Sequence, residues 1–349
     1  MTSYRVGIVG ASGYTGAELL RLLSCHPDFE LAAATGDSQA GRPIAELYPS
    51  LALAYGDRVF DAYAPDALDG LDVVFCGLPH GVSMSVVPEL KGTVGHIVDL
   101  GSDFRLHDPG LYPEWYGAEH TCPELLHEAV YGLPELFRNK IAGAELIAAT
   151  GCNAATAVLT LAPLLSAGLI EPEGIVVDLI TGVSGAGRPP KPTTTFCTVD
   201  EDVTAYGLLT HRHTPEIEQA LAERTGQEPS VLFTPHLVPM NRGILATCYG
   251  RPTPSGASID SAGAQRVLAE FYRDEPFVVV ADRSPSTKAT LGSNAVHLTA
   301  RVDPRTGTIL GLGALDNLMK GASGMAVQCA NLAVGLPEDT GLAVAGVYP

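Results

Sequence analysis

The chain has 349 residues, 46% hydrophobic and 17% charged, which excludes a disordered chain and provides core material for about two domains. Its 39 acidic and 21 basic side chains leave a net charge of −18, which repels phosphate backbones and argues against nucleic acid as a partner. Strand-sized apolar runs, a start without a basic n-region, and seven widely spaced cysteines without a C-x-x-C pair predict a cytoplasmic chain with no membrane span, disulfide framework or zinc ribbon.

The first predicted element is a short buried strand over 4–9. It runs into Gly10-Ala11-Ser12-Gly13-Tyr14-Thr15-Gly16 and then into a helical stretch from Ala17 to Leu23. Strand, glycine turn and helix at the start of a chain form a dinucleotide cradle. Amides approach the pyrophosphate, and the helix N-terminus supplies positive partial charge. A second strand over 29–35 ends at Gly36-Asp37-Ser38, where the adenosine ribose is read. Asp37 suits a free ribose hydroxyl, whereas Ser38, Gln39 and Arg42 suit a 2′-phosphate, so the residues leave NAD and NADP both open. Strands over 72–78, 96–100 and 145–150, with a helical pattern at 84–90 between the first two, predict a Rossmann-type doubly wound parallel sheet. Ligands of such sheets sit at the strand carboxyl ends. Those ends carry Leu78-Pro79-His80-Gly81, Leu100 to Arg105, and Thr150-Gly151-Cys152-Asn153.

Cys152 falls between the strand at 145–150 and a helix over 154–167 packed through Leu159, Leu161, Leu164 and Leu165. A thiol at a helix N-terminus is held toward thiolate by the helix dipole, and a thiolate can form a thioester with an acyl group. Cys25, Cys76, Cys197, Cys248 and Cys329 fall in strand or helix patterns and are expected to be buried and structural, and Cys122 to be incidental. The base for the thiol is sought in Leu209 to Glu216, where His211 and Arg212 precede a helix with Thr214 as cap and Pro215 in the first turn. No H-x-x-x-H spacing supports a metal there. Strands over 175–181, 231–236, 244–251, 277–281, 295–303 and 308–315 predict a second α+β domain of mainly antiparallel sheet. The domains are expected at 1–150 for nucleotide binding and 151–315 for catalysis and oligomerisation. A C-terminal helical segment, 316–349 with its helix over 316–336, is expected to complete the first.

A nicotinamide fold joined to a nucleophilic cysteine implies aldehyde dehydrogenation or acyl-phosphate reduction. Across essentially the whole chain the motifs resemble the N-acetyl-γ-glutamyl-phosphate reductase family of arginine biosynthesis. They are the stretch from Gly10 to Leu23 with His26-Pro27, Leu78 to Gly81, Asp99 to Leu106, Tyr131 to Leu136, Gly182 to Arg188, His211 to Glu216, Phe233 to Gly243, Gly292-Ser293-Asn294 and Asp316 to Gly324. The resemblance implies that Cys152 attacks the acyl phosphate and NADPH reduces the thioester. It implies His211 as proton donor and acceptor and Glu216 as the residue orienting charge beside it. Ser184, Gly185 and Asn317 are then expected at the nicotinamide, with Arg105 and Arg188 for the substrate's carboxylate or phosphate. A homodimer or homotetramer acting on a small-molecule acyl phosphate is also implied.

One departure bears on substrate. The family usually has Gly-Cys-Tyr-Pro at the nucleophile, and this chain has Gly151-Cys152-Asn153-Ala154, placing Asn153 at the substrate. That form is similar to the lysine-pathway reductases acting on carrier-linked aminoadipyl phosphate, which is the alternative reading. Aspartate-semialdehyde dehydrogenase shares the fold and thiol logic, but the stretches 233–243 and 316–324 favour the arginine branch. A catalytically silent nicotinamide sensor would carry a basic DNA-binding helix, which the sequence and its charge oppose.

Overall fold

The computed structural model describes residues 3–348, which divide into two compact units. One runs to Thr150 and takes in 322–342; the other holds 151–321 and the remaining C-terminal residues.

The first unit is built on a six-stranded sheet of β1 (Tyr4–Val9), β2 (Phe29–Thr35), β3 (Val73–Cys76), β4 (His96–Asp99), β5 (Val130–Gly132) and β6 (Leu146–Ala149). Its order is β2-β1-β3-β4-β6-β5, with every pair parallel. Parallel strands are covered on both faces, so they read as continuous apolar runs rather than alternations. All four residues of β3 and all four of β6 are buried accordingly. Helices α1 (Tyr14–Leu23), α2 (Ser83–Leu90) and α3 (Pro134–Ile141) accompany it. The chain leaves β1 to one side for β2 and returns to the other for β3, so the switch point, where such sheets bind ligands, is the carboxyl end of β1 and β3. Strand β5 is a three-residue edge, too short for a sequence pattern to announce.

The second unit is a seven-stranded mixed sheet in the order β11-β12-β13-β10-β7-β9-β8. Its strands are β7 (Ile175–Gly182), β8 (Thr204–Ala205), β9 (Val231–Val238), β10 (Ile244–Gly250), β11 (Val278–Val280), β12 (Val296–Val302) and β13 (Ile309–Leu315). Four of its six pairings are antiparallel, and β7–β9 and β11–β12 are parallel. Strand β7 alternates buried and half-buried residues over most of its length, the sign of a sheet covered on one face. Helix α4 (Cys152–Ser166) packs on β10 and β13, beside α5 (His213–Thr225) and α6 (Ser261–Phe271). Every residue of α4 from Asn153 to Leu165 is buried.

The closing segment differs from the helix expected over 316–336. Residues 316–318 are not helical, Met319–Ser323 form a π-helical turn, and α7 (Gly324–Ala333) is regular. The Asp316 carboxylate captures the amides of Leu318 and Met319, a local bond that competes with an α-helical start. After α7, Gly335 adopts φ +79° and no helix follows among the described residues. Helix α7 packs against α1, α3 and β4 of the first unit.

Candidate active site

In the first unit the turn after β1 is made almost entirely of backbone. Gly10 adopts φ +88°, and a Cβ there would strike the Gly77 carbonyl oxygen. A Cβ on Gly16 would stand 2.5 Å from Cα of Ala11. Gly13 caps α1 at φ −80°, ψ 173° with no side-chain cap, so the first-turn amides of the helix are open to an anion. Thr35 holds the turn from β2, its carbonyl accepting from Ala11 N at 2.7 Å and its hydroxyl from Gly10 N at 3.3 Å. The Ser12 hydroxyl donates to Gly36 O at 3.1 Å, and the Tyr48 hydroxyl to Ser12 O at 2.7 Å. Ser12 is thus a brace of the turn, while Tyr14 and Thr15 open the helix. This side-chain-free cradle fits a dinucleotide pyrophosphate. Ser38 lies in a 3-10 turn beyond β2, beside Gln39, whose Oε1 accepts from Arg42 Nη1 at 3.0 Å. Pro79 follows β3 at the switch point.

A polar cluster occupies the end of β4. Asp99 Oδ1 accepts from the Ser83 hydroxyl at 2.7 Å and from Gly101 N–H at 3.0 Å, while buried Asp99 Oδ2 has no hydrogen-bond partner among the described residues. Burial pushes the Asp99 carboxyl up to about 7, helped by the nearby Asp103 charge. Asp103 receives His80 Nδ1 at 2.9 Å and Gly81 N at 2.9 Å. Arg105 is buried, with Nε donating to Ala149 O at 2.8 Å and Nη2 to Leu100 O at 2.9 Å. Expected to meet substrate, its guanidinium braces the ends of β4 and β6.

In the second unit Cys152 is the first residue of α4, which begins two residues earlier than the sequence pattern suggests. Its cap, Gly151, is extended at φ −69°, ψ 144°, and the first turn contributes no acidic residue of its own, which favours the dipole's pull toward thiolate. Glu216 from α5, fully buried, accepts Gly151 N–H at 2.7 Å through Oε1, and its Oε2 stands 3.8 Å from His213 Nε2. Glu216 therefore holds the cysteine turn and stands beside His213, two residues from the His211 it was expected to serve. The Cys152 thiol donates to Asn153 Oδ1 at 3.7 Å, and Asn153 Nδ2 donates to the Tyr206 hydroxyl at 3.3 Å. The Tyr206 ring stands edge-on to His211, centroids 5.5 Å apart. Burial pushes the Tyr206 phenol up to about 12, so it stays a neutral hydroxyl. Tyr206 carries no motif of its own, and its one sequence signal is lying five residues before His211.

His211 precedes α5, which begins at His213 with Arg212 in the cap position and no side-chain cap. The anticipated Thr214 cap is absent because the Thr214 amide already turns back to His211 O at 2.9 Å. The His213 amide donates to His211 Nδ1 at 3.1 Å, which leaves Nε2 to carry the proton of the neutral ring. Burial, then the Arg212 charge, pull His211 down to about 4, so the ring is neutral near pH 7.

Ser184, Gly185 and Asn317 come together. Asn317 Nδ2 donates to Ser184 Oγ at 2.9 Å, its Oδ1 accepts Gly243 N–H at 2.7 Å, and Gly185 lies beside its amide. Arg188 is half-exposed in the loop beyond. Of the cysteines expected to be buried, Cys76, Cys248 and Cys329 are, and so is Cys122; Cys25 and Cys197 are exposed. Cys25 lies in the turn that ends α1, and Cys197 in a one-turn helix on a surface loop, neither of which reaches a core.

Two family models match the chain: the NAD binding domain of semialdehyde dehydrogenases over residues 5–144, and their dimerisation domain over 152–317. N-acetyl-γ-glutamyl-phosphate reductases are similar along the whole length. That of Symbiobacterium thermophilum is 49% identical, that of Desulforudis audaxviator 48% and that of Paracoccus denitrificans 46%, each alignment covering 99% of both chains. Among solved structures, aspartate semialdehyde dehydrogenase II of Vibrio cholerae, complexed with ASA, superposes with a TM-score of 0.71 at 17% identity, over 96% of this chain and 99% of that one. The Candida albicans aspartate semialdehyde dehydrogenase with NADP gives 0.66 at 18%, with the same coverage. These likenesses establish the shared fold.

Proposed function

The chain belongs to the N-acetyl-γ-glutamyl-phosphate reductase family, and from that membership we propose that it reduces N-acetyl-γ-glutamyl phosphate to N-acetyl-glutamate 5-semialdehyde and phosphate through Cys152. The observation that carries the choice of nucleophile is the head of α4: a cysteine at the first helical position, an uncapped first turn, and a neighbouring amide fixed by Glu216.

The Cys152 thiolate attacks the acyl carbon, the carbon–oxygen bond to phosphate breaks, and a thioester forms as phosphate leaves. In the first unit the Gly10–Gly16 cradle, Ser38 and Pro79 would hold NADPH, and in the second Ser184, Gly185 and Asn317 are the candidates to contact it; the cofactor, when bound, would supply the hydride that reduces this thioester. Collapse of the resulting hemithioacetal alkoxide breaks the carbon–sulfur bond, freeing aldehyde and thiolate. Nε2–H of neutral His211 donates to the oxygen bearing the developing charge, as a neutral imidazole can when its other nitrogen is occupied. That role replaces a full proton exchange, which a ring held near 4 performs poorly at neutral pH. Asn153 and Tyr206 orient the thiol, Glu216 fixes its turn, and Arg188 offers a guanidinium for the substrate's anionic groups.

We place an oligomer contact on the uncovered face of the seven-stranded sheet, where Leu232, Tyr249 and Val279 are exposed. A second copy of the chain would cover these exposed side chains, and the matching family model is a dimerisation domain. No helix among the described residues is long and apolar enough to cross a membrane; the cytoplasmic reading rests on the odd number and wide spacing of the cysteines in the sequence.

The deciding experiment is phosphate-dependent reduction of NADP⁺, run in parallel with N-acetyl-glutamate 5-semialdehyde, its one-carbon-longer analogue and aspartate semialdehyde. The first is expected to give the highest kcat/KM. Preference for the longer substrate would move the enzyme to the lysine branch, with Asn153 as the marker. No turnover with any of them would overturn the reading.

A further inference from the structure

The wall against which the thiol rests is a helical irregularity, and its anchor is Asp316. Oδ1 of Asp316 accepts the amides of Leu318 at 2.9 Å and Met319 at 3.2 Å, together with Arg242 Nε at 3.0 Å and Nη2 at 2.9 Å. Oδ2 accepts Gly292 N–H at 2.7 Å. Asp316 is fully buried, so this set of donors holds it in one orientation. The Gly321 amide then donates to Asp316 O at 3.0 Å, a bond spanning five residues that leads into the π turn Met319–Ser323. Buried Lys320 pins the same turn, its ammonium 5.5 Å from the centre of the Phe277 ring. Such turns cluster at functional positions, and here the turn presents Gly321 to the nucleophile. A Cβ on Gly321 would lie 2.7 Å from Cys152 Cβ, 3.2 Å from Leu315 Cδ1 and 3.3 Å from Asp316 O.

Two saturated carbons do not approach to 2.7 Å. Cys152 Cβ is fixed to the backbone of a helix that is buried from Asn153 onward, so it cannot swing aside as the tip of a long side chain can. Leu315 and the Asp316 carbonyl close the other directions. A side chain at 321 must therefore displace either the thiol or the turn.

We infer that Gly321, carried by the π turn that Arg242 and Asp316 anchor, is a positioning residue for the Cys152 thiol, its bare backbone setting where the sulfur stands. The inference rests on Cys152 being the nucleophile, and its test separates the two claims.

In Gly321→Ala, Cys152 alkylation by iodoacetamide and kcat should both fall by about a hundredfold, the scale of a one-ångström misplacement, while KM for NADPH is unchanged. A melting-temperature cycle reads the contact itself. The loss caused by Gly321→Ala should shrink to less than half in a Cys152→Gly background, which has no Cβ and leaves only the looser Leu315 and Asp316 contacts, and persist in Cys152→Ser, which keeps it. If Gly321→Ala does not fold, recovery of folding in Cys152→Gly/Gly321→Ala is the supporting result, and failure to recover overturns the inference. Wild-type alkylation and kcat in a folded Gly321→Ala, or a cycle without coupling, would likewise overturn it. Turnover retained by Cys152→Ala would instead remove the nucleophile reading and leave the steric coupling measurable.

Discussion

Two turns in this chain share a local design and diverge in use. After β1 and after β6 the chain leaves the carboxyl end of a parallel strand, passes an extended glycine cap without a side-chain cap, and starts a helix with no acidic residue in its first turn. At Gly13 the surroundings are backbone: close approaches at Gly10 and Gly16 forbid side chains, and the helix end is left for an anion. At Gly151 the cap amide is taken by Glu216, and a reactive side chain stands at the next position. The same dipole thus serves a ligand in one turn and a covalent nucleophile in the other. What separates them is the side chains that distant segments deliver.

The strongest way to break that distinction is a pair of substitutions with opposite expected readouts. Cys152→Ala should remove turnover by at least about 10⁴-fold, the scale of losing a nucleophile, and leave NADPH binding intact. Gly16→Ala places a Cβ against Ala11; it should weaken NADPH binding by roughly tenfold or more, since close backbone approach is what the cradle provides, and leave iodoacetamide reactivity of Cys152 unchanged. Binding by fluorescence titration and alkylation by mass spectrometry check both. Loss of NADPH binding in Cys152→Ala would show that the two turns are not separate devices.

Glu216→Ala sharpens the same contrast with a smaller effect. It leaves the Gly151 amide without its acceptor, a cost of about 1–3 kcal/mol, and loosens the thiol turn. Stability should fall by that amount and kcat should drop, with NADPH affinity preserved. Glu216→Gln keeps an acceptor oxygen and should recover most of the stability. A Gln variant as unstable as the Ala variant would mean that the charge toward His213, and not the bond to Gly151, is the larger contribution.

Local pattern was enough to read both turns, because a strand, a glycine and a helix start are neighbours in sequence. The parallel sheet and the mixed second sheet were legible for the same reason, apart from the short edge strands β5 and β8. The partners were not legible. Gly151 and Glu216 are 65 residues apart, and Asn153 and Tyr206 are 53 apart. No spacing rule links such pairs, and α5 could as well have turned Glu216 toward His211. Arg105 shows the converse. An arginine at a strand end reads as an anion ligand, yet two nearby carbonyls claim its guanidinium. The π turn escaped because Asp316 and Gly321 fit a helical pattern until the Asp316 carboxylate is seen to be occupied.

His211 tests whether the catalytic turn tunes its own ring. Its value near 4 comes from burial first and the Arg212 charge second. Arg212→Gln removes the second cause, so the His211 midpoint should move upward, toward the ordinary histidine value of about 6.5. An NMR titration of the ring measures this directly. An unmoved midpoint would assign the depression to burial alone.

The smallest effect is expected at a third strand end, that of β4, which leads into no helix at once and keeps its carboxyl for itself. Asp99 is fully buried, with one oxygen bonded to Ser83 and Gly101 and the other unpartnered. Its folded value is raised to about 7 from an ordinary 3.8. The unfolded chain therefore releases the proton first as pH rises. The stability contributed by protonated Asp99 is complete below the unfolded value, declines as pH climbs from there to about 7, and changes no further above it. Asp99→Asn keeps the acceptor for Ser83 and Gly101 and abolishes the titration, so the variant should gain on the wild type between about pH 4 and about pH 7 in thermal unfolding, whatever constant cost its buried amide adds. A difference between the two proteins that does not change with pH would mean that Asp99 is ionised in the fold throughout, with Arg105 and the Gly101 amide holding its charge.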